Sequence, residues 1–405
     1  MSKDVVRDII DVALRAADAG GAVRRAGMTR DLGEGPVALL AVGKASLAMA
    51  GAAFEELGRR VTHSFATTLP EHAGDPFWGS LPGPVFACDH PLPTARNIDA
   101  SERLAGWVRS LPRGAVLAVL LSGGASAHLC SPLPGLGLEG LVEATRTLQR
   151  AGASIYELNC VRRHCETLKG GGLGALAAPR RVVTFVLSDV IGDPLHDIAS
   201  GPTVADPTSR DDALAVARRY GLGAIERYLR AAPVRPVADL SHCRTRVVAS
   251  NRMVAGAVVE RLRAENVGVT ELLDVEGCAA GAARRLAGCT GSVVMGGEWT
   301  VDTRDCDEPG VGGPSQELAL WAAVHLRLPR WTLLALSTDG RDGPTDHAGA
   351  CVDEGTAGRA LGAGVDLGEA LRRHDSTAAL GRVGGLVTTG PTGTNLNHVA
   401  VLLVP

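Results

Sequence analysis

Six runs of apolar residues constrain the fold of this chain more than any other feature. The runs are nearly continuous rather than alternating, which is typical of strands whose sheet is covered on both faces. Each run leads into a loop of glycine, hydroxyl or acidic residues, or directly into a helix-like segment. Strand, loop and helix in repetition predict a doubly wound α/β fold with a mainly parallel sheet. The runs lie at 37–42, 115–121, 181–187, 246–250, 292–298 and 331–337.

The chain is long enough for two domains, with 405 residues. Segment 231–242 (AAPVRPVADLSH) is proline-rich, and we interpret it as a linker. We therefore expect a three-layer α/β/α domain over residues 1–235 and a smaller α/β domain over residues 236–405. Aromatic residues make up only 3% of the chain, and this profile fits closely packed α/β layers better than a β-sandwich.

Composition also limits the partners and the compartment. A net charge of -3 gives no basic excess for binding nucleic acid. Residues 1–20 have the spacing of an amphipathic helix, and no apolar run is long enough for a signal peptide or a membrane span. The nine cysteines are scattered without a Cys-x-x-Cys pair, which favours reduced thiols and a cytoplasmic location. The oligomeric state is not set by the sequence, and a homodimer is left open.

Two loops after the early apolar runs carry groups that bind anions. Lys44 follows the first run at a strand-to-helix turn, where a cation can meet an anion held by a helix N-terminus. The loop after the second run offers the amides of Gly123 and Gly124 and the hydroxyls of Ser122 and Ser126. Ligands of open α/β sheets bind beyond the carboxyl ends of the strands. These loops predict an anion site, against the plainer alternatives of a surface lysine and an ordinary turn.

A basic segment follows in the first half of the chain. Arg162, Arg163 and Lys169 cluster on a predicted helix, and Lys169 precedes three glycines. A solvated helix face that ends in a glycine cap is the structural alternative. Three glycines in succession favour a functional loop over a simple cap.

Acidic loops complete the pattern in both halves. Carboxylates at strand ends either hold Mg²⁺ through water or cap the following turn. Three carboxylates within the short segment 337–350 repel one another unless a cation or strong donors lie among them. Donors around phosphates together with acidic residues for Mg²⁺ are the components of phosphoryl transfer. The residues are Asp189, Asp193 and Asp197 in the first half, and Glu298, Asp339, Asp342 and Asp346 in the second.

The loop motifs, taken in order, resemble the glycerate 2-kinase family, which pairs an N-terminal glycerate kinase domain with a C-terminal MOFRL domain. The resemblance implies ATP-dependent phosphorylation of the 2-hydroxyl of D-glycerate, with Mg²⁺, in a cleft between the domains. It extends from Gly43 to Asn397, nearly the whole chain. The motifs are AVGKAS, LSGGASA, VRRHCETLKGGG, SDVIGDPLHDIASGPTVADPT, GGE followed by GGPSQELAL, STDGRDGPTDHAGA and GPTGTNLN.

The motifs and the resemblance together nominate the site residues. Lys44 and Asp189 are the predicted catalytic residues, and Asp189 and Asp193 are the predicted ligands of Mg²⁺, through water. Substrate or phosphate binding is predicted for Ser122, Gly123, Gly124, Ser126, His128, Arg162, Lys169, Asp193, Glu298, Gln316, Asp339, Asp342, His347, Thr392 and Asn395.

This chain departs from the family pattern at two arginines. Pro314 stands where the family's Gly-Gly-Arg-Asn-Gln-Glu motif has arginine, and Gly172 stands where its Lys-Gly-Gly motif ends in arginine. Neither residue can replace the planar bidentate fork of a guanidinium group. We therefore expect this chain to be a poor D-glycerate kinase whose ligand is larger or less anionic at that end, with His128 or His347 in contact with it.

Four histidines lie in motif loops where the family has other residues, and they leave three functional alternatives. One is a kinase with another hydroxy acid or a polyol as acceptor. A second is an ordinary glycerate 2-kinase in which another arginine, such as Arg341, replaces the missing ones. The third is a former kinase with histidine acid/base or metal chemistry, or one that only binds a ligand. The histidines are His128, His196, His347 and His398.

Overall fold

A computed structural model describes residues 3–232 and 239–405. Residues 233–238, the centre of the expected linker, lie outside the described residues. The strands are β1 (Val37–Val42), β2 (Val61–Thr68), β3 (Val85–Ala87), β4 (Val116–Leu121), β5 (Val182–Ser188), β6 (Cys243–Ser250), β7 (Val269–Cys278), β8 (Ser292–Thr300), β9 (Thr332–Ser337), β10 (Gly349–Asp353), β11 (Leu386–Val387) and β12 (His398–Leu403).

The α-helices alternate with these strands along much of the chain. They are α1 (Lys3–Ala17), α2 (Ala19–Ala26), α3 (Met28–Leu32), α4 (Ser46–Leu57), α5 (Ala95–Ser110), α6 (Ala125–His128), α7 (Gly137–Arg150), α8 (Ile155–Cys165), α9 (Gly172–Ala177), α10 (Arg210–Arg219), α11 (Gly223–Ala231), α12 (Asn251–Ala264), α13 (Ala279–Ala287), α14 (Pro314–His325), α15 (Thr356–Gly362), α16 (Leu367–Arg372) and α17 (Ser376–Arg382). None of the described helices has the length and hydropathy needed to cross a membrane.

One compact unit comprises Ala22–Val248. Its sheet has the strand order β3-β2-β1-β4-β5-β6, and the pairs formed among β1 to β5 are parallel. Every residue of β1 and β5 is buried. Because successive side chains of a strand point to opposite faces, the sheet is covered on both sides. This confirms the predicted α/β class and its three-layer arrangement.

The strand order of this sheet reverses between β1 and β4. β1 and β4 are parallel, but the connections that leave them run toward opposite edges of the sheet. This opens a crevice beyond their carboxyl ends, which is where open α/β sheets bind ligands. The loops after β1 and β4 are the two that carry Lys44 and the Ser122-Gly123-Gly124 sequence.

The other compact unit comprises Met1–Gly21 and Ala249–Pro405. Its sheet has the order β11-β10-β9-β12-β8-β7, in which β7 and β8 are parallel and the other pairs are antiparallel. Helix α1 packs against α12 in this unit. Trp299 and Leu318 are completely buried in its core.

The compact units divide the chain differently from the sequence domains 1–235 and 236–405. Strand β6 lies beyond residue 236 yet belongs to the first sheet, and the amphipathic helix α1 joins the second unit through α12. The six predicted strands are all present, with ends shifted by up to three residues. Strands β2 and β7 were not predicted, because polar residues interrupt both and β7 lies at a sheet edge.

Candidate functional site

The loops after β1 and β4 are fastened to each other in the Ala22–Val248 unit. The amide of Lys44 donates to the carbonyl of Gly123 at 2.9 Å. The buried Ser122 hydroxyl accepts from the amide of Ala45 at 3.1 Å and donates to the carbonyl of Val42 at 3.3 Å. Since this hydroxyl is engaged on both sides, Ser122 holds the loops together, and its contact with a ligand stays a prediction.

Asp189 lies against the same loop. It follows the buried strand β5, and a β-carbon at Gly123 would be 2.4 Å from its Oδ2 atom. Burial raises the pKa of Asp189, while a backbone hydrogen bond and the charge of Lys44 oppose the shift. The two residues predicted to be catalytic, Lys44 and Asp189, therefore share one electrostatic environment beside Gly123.

His90 is a site residue that the sequence reasoning missed. A β-carbon at Gly124, which has a φ of +86°, would lie 3.1 Å both from Cδ2 of His90 and from Cγ of Lys44. Desolvation, followed by the charges of Lys44 and Arg162, lowers the pKa of His90 to about 4 although the residue is exposed. The signal was the His-Pro pair after β3, a strand of three residues that the apolar runs did not reveal.

Arg163 and Lys169, two of the three clustered basic residues, are committed to internal ion pairs. The Arg163 side chain is fully buried and lies 2.8 Å from Asp197 and 2.8 Å from Asp206. Lys169 is 2% exposed and pairs with Glu166. Burial lowers the pKa of Lys169, and Glu166 opposes that shift. Phosphate binding by Lys169 stays a prediction, because the structure pairs it inside the protein.

Ser126 connects the glycine loop to the acidic loop after β5. Its hydroxyl lies 2.9 Å from the hydroxyl of Ser200, which donates to Oδ1 of Asn159 at 2.8 Å. Three residues of the acidic loop that are not glycine have positive φ: Asp193, Ala199 and Ser200. Such strained backbone persists only where the surroundings hold it, and it is common at functional sites.

His128 is completely buried behind the loop, at 0% exposure. Its Nδ1 atom lies 3.1 Å from the Thr67 hydroxyl, while Nε2 is buried without a hydrogen-bond partner. Burial, followed by the nearby His90, lowers the pKa of His128 to about 4. The His128 imidazole is enclosed by protein in this structure, and the ligand contact expected of it stays a prediction. His196, also in this unit, has Nε2 3.4 Å from Oδ2 of Asp197.

Asp342 and Gln316 form a buried polar core at the start of α14. Asp342 is 0% exposed and accepts from the amides of Ser315 at 2.9 Å and Gln316 at 2.7 Å. Burial raises the pKa of Asp342 to about 6, and the two amides oppose that rise. The Gln316 side chain donates to Thr345 and accepts from Thr377. Asp342 therefore caps the N-terminus of α14, and the Gln316 side chain ties that helix to Thr345 and Thr377.

The other carboxylates of that segment do not gather around a cation. Asp339 accepts from the Ser337 hydroxyl at 2.8 Å and from the amide of Arg341 at 2.9 Å. The Asp346 side chain is 94% exposed and lies 3.8 Å from Arg341. Within the part of the chain that the structure describes, no group of three or more histidine, cysteine or acidic residues could hold a metal. Separate donors and solvent satisfy the three carboxylates, which is one of the two alternatives that the sequence left open.

The remaining predicted residues of this unit are spread over β8 and two loops. Glu298 is exposed within β8 rather than after it. His347 pairs through Nδ1 with the Thr388 hydroxyl at 2.8 Å, and Thr392 donates to the carbonyl of Thr338 at 2.6 Å. Asn395 is exposed and accepts from the amide of Asn397 at 3.0 Å. His398, by contrast, belongs to β12 and stacks on Trp299, with ring centroids 4.9 Å apart.

Both positions that lack the family arginine are first residues of helices. Pro314 begins α14, and Gly172 begins α9. Proline suits such a position because the amide it lacks would have no partner within the helix. The first residue of α14 can therefore be proline or arginine without a change of fold. The chemical consequence of Pro314 is the loss of a positive charge.

Known proteins match this chain along nearly its whole length. A model described as a domain of unknown function (DUF4147) matches residues 5–232, and the MOFRL family model matches residues 291–398. A D-glycerate 2-kinase of Thermotoga maritima is 35% identical over 91% of this chain and 90% of its own length. A protein of Agrobacterium vitis with the provisional name hydroxypyruvate reductase is 35% identical over 79% of this chain and 88% of its own length. The crystal structure of a glycerate kinase from Thermotoga maritima superposes with a TM-score of 0.90 at 32% identity, covering 100% of this chain and 99% of that one.

Proposed function

We propose that this chain, which belongs to the glycerate 2-kinase family, transfers the γ-phosphoryl group of ATP to a hydroxyl of D-glycerate or a related small hydroxy acid. The observation that carries the proposal is the meeting of Lys44, Gly123 and Asp189 where the strand order reverses. These residues supply a cation, a close backbone approach and a carboxylate at the place where α/β sheets bind ligands.

Lys44 and the glycine loop act on the phosphoryl group. In phosphoryl transfer, catalysis is mostly positioning and stabilisation of charge on the transferred oxygens. The ammonium group of Lys44 neutralises that charge, and the approach of the backbone at Gly123 and Gly124 brings amide donors close. Only three residues of the chain are lysines, Lys3, Lys44 and Lys169, among 41 basic residues. A β-carbon at Gly124 would lie 3.1 Å from Cγ and 3.3 Å from Cε of Lys44, so glycine at this position leaves room for the lysine side chain.

Asp189 is the candidate general base. Its carboxylate accepts the proton of the acceptor hydroxyl at an Oδ atom as the oxygen attacks phosphorus. Burial raises the pKa of Asp189 and makes the ionised carboxylate a stronger base, while Lys44 keeps the ionised form accessible. Gly123 permits this arrangement because any side chain there would displace Oδ2.

Mg²⁺ fits the carboxylate oxygens of the loop after β5. Mg²⁺ is usually held by one or two carboxylates, waters and substrate phosphates, so a cage of three protein ligands is not required. Asp189 and Asp193 would hold it through water, as the sequence predicts. When bound, the ion would neutralise charge on the phosphates. The positive φ of Asp193 fixes the backbone of this loop.

Hydride transfer is the rival suggested by the name of one relative. The sheet order β3-β2-β1-β4-β5-β6 is the order found in dinucleotide-binding domains. However, the turn after β1 reads Gly43-Lys44-Ala45-Ser46 and lacks the Gly-x-Gly-x-x-Gly fingerprint that admits a pyrophosphate. A lysine there supports phosphoryl transfer instead. Non-kinase histidine chemistry is not favoured either, because His128 is enclosed and His398 belongs to a strand.

Small-molecule substrates, one of them a nucleotide, follow from kinase activity. A cytoplasmic location, a homodimer and a cleft between the sequence domains stay predictions. The test is an ADP-release assay with D-glycerate, Mg²⁺ and ATP. A separate assay measures the oxidation of NADH with hydroxypyruvate as substrate. ADP release without NADH oxidation supports the proposal. NADH oxidation without ADP release would replace the kinase with the reductase.

A further inference from the structure

Arg162 differs from the basic residues around it. Arg163 and Lys169 are buried in ion pairs, whereas the half-buried guanidinium of Arg162 has no hydrogen bond or ion pair to any described residue. Burial lowers the pKa of Arg162, with Glu166 opposing, so the charge is partly removed from water. A desolvated cation without a matched acceptor costs free energy, and an anionic ligand would offset that cost.

The helix α8 directs Arg162 toward the segment that follows the glycine loop. Asn159 and Arg162 are three residues apart and lie on one face of α8, and Glu166 follows the end of that helix with extended backbone. Asn159 contacts that segment through Ser200 and Ser126, and Glu166 accepts from the amide of Ser131 at 3.2 Å. Arg162 therefore lies between two residues, Asn159 and Glu166, that are tied to the segment after β4 at Ser126 and Ser131.

The charges near Arg162 make it a candidate for binding an anion in the proposed reaction. Its charge lowers the pKa of His90, which lies against Gly124 and Lys44. The guanidinium thus belongs to the same positive region as the residues that act on the phosphoryl group. A small acceptor must also be held at its other end, and a planar guanidinium matches a carboxylate with two parallel hydrogen bonds.

We propose that Arg162 binds the carboxylate of the acceptor, which makes a 2-hydroxy carboxylate the substrate class. This inference rests on the proposed function and extends it to the residue that selects the acceptor. It also supplies a guanidinium for the carboxylate in a chain that has Gly172 and Pro314 at the family's arginine positions.

The experiment compares Arg162→Met and Arg162→Lys with the unchanged chain, using D-glycerate and its neutral amide, D-glyceramide. The loss of a charge-assisted hydrogen-bond pair should raise the KM for D-glycerate about 10- to 150-fold in Arg162→Met. The KM of Arg162→Lys for D-glycerate should lie between those of the unchanged chain and Arg162→Met, because lysine keeps the charge but loses the planar fork of the guanidinium. The KM values for ATP and D-glyceramide should stay within about twofold, and Arg150→Met, at an exposed residue of α7, should change neither.

Three results would overturn the assignment. A raised KM for ATP would place Arg162 on the nucleotide, and equal effects on glycerate and its amide would remove the carboxylate contact. A lower melting temperature with unchanged KM values would give Arg162 a structural role. If the unchanged chain releases no ADP, calorimetry with D-glycerate, L-lactate and D-malate decides separately. If one of these acids binds and Arg162→Met abolishes the binding, the assignment of Arg162 stands although the kinase proposal fails. If none of the three acids binds, both proposals fail.

Discussion

A β-carbon on Gly123 would lie 2.4 Å from Oδ2 of Asp189. That separation is shorter than any real contact of a β-carbon, so a side chain at position 123 would force Asp189 or the loop to shift. Glycine at 123 is thus a condition for a carboxylate at the end of β5 to approach the backbone of the loop after β4. The position of Asp189, the candidate base, therefore depends on the glycine at 123 in the loop after β4.

Gly123→Ala should therefore disable catalysis without unfolding the protein. The methyl group would displace Asp189, and a misplacement of about 1 Å can lower turnover about 100-fold. Steady-state kinetics would show a fall in kcat with a melting temperature within a few degrees of the unchanged chain. Gly106→Ala is the matched control, since a β-carbon there meets nothing within 4 Å. Full activity in Gly123→Ala would contradict a catalytic role for Asp189.

Lys44→Ala should lower turnover about 100- to 1,000-fold, the usual effect of removing one group that stabilises developing charge. The fold should persist, because the amide of Lys44, rather than its side chain, holds the carbonyl of Gly123. Lys44→Arg should restore only part of the activity, because it keeps the charge but replaces a compact ammonium with a larger, planar guanidinium group. Initial rates of ADP release check this. A large fall in melting temperature with unchanged rates would instead make Lys44 a structural residue.

Features that depend on neighbouring residues could be predicted from the sequence, whereas features that depend on distant residues could not. Strands β1, β4 and β5 were predicted because continuous apolar runs and their loops are local features. The partners of Arg163 could not be foreseen, since Asp197 and Asp206 lie 34 and 43 positions away. Sequence patterns also cannot show that His128 turns inward to Thr67, a contact between α6 and β2.

The same limit applies to the carboxylates of residues 337–350. Their closeness in sequence implies a cation or strong donors, and the donors to Asp342 come from a helix that begins 28 positions earlier, at Pro314. Asp346 points to solvent. A local cluster of charges predicts a metal only if the side chains converge, and convergence depends on the fold.

Asp342 should give the stability of the protein a distinct pH dependence. Its folded pKa of about 6 lies above the value of about 3.9 for an unfolded chain. The stabilisation is therefore complete below about pH 4 and is lost as the pH rises through about 6, a change on the order of 3 kcal/mol. Urea unfolding from pH 4 to 7 should show the advantage of the unchanged chain over Asp342→Asn shrinking with pH.

Asp346→Asn is the control for this titration, because its exposed carboxylate should leave the difference flat across the range. An advantage over Asp342→Asn that grows with pH would mean that the amides of Ser315 and Gln316 outweigh burial and hold Asp342 ionised.

The last prediction concerns Pro314. Arg162 provides one guanidinium for the acceptor, but a charge at the start of α14 is still absent. One charge-assisted contact contributes about 1.5–3 kcal/mol, or roughly 10- to 150-fold in the reactive complex. We therefore expect a kcat/KM for D-glycerate below about 10⁴ M⁻¹s⁻¹, the lower end of the ordinary range. Pro314→Arg should raise it at least about tenfold, because the first helical position tolerates either residue.

Pro314→Met separates the charge from the loss of the proline ring, since it adds length without a cation. Equal gains in Pro314→Arg and Pro314→Met would attribute the improvement to backbone freedom. A kcat/KM within about 10⁴–10⁸ M⁻¹s⁻¹ for the unchanged chain would show that the arginine is dispensable. The carboxylate contact assigned to Arg162 would then be sufficient for ordinary glycerate kinase activity.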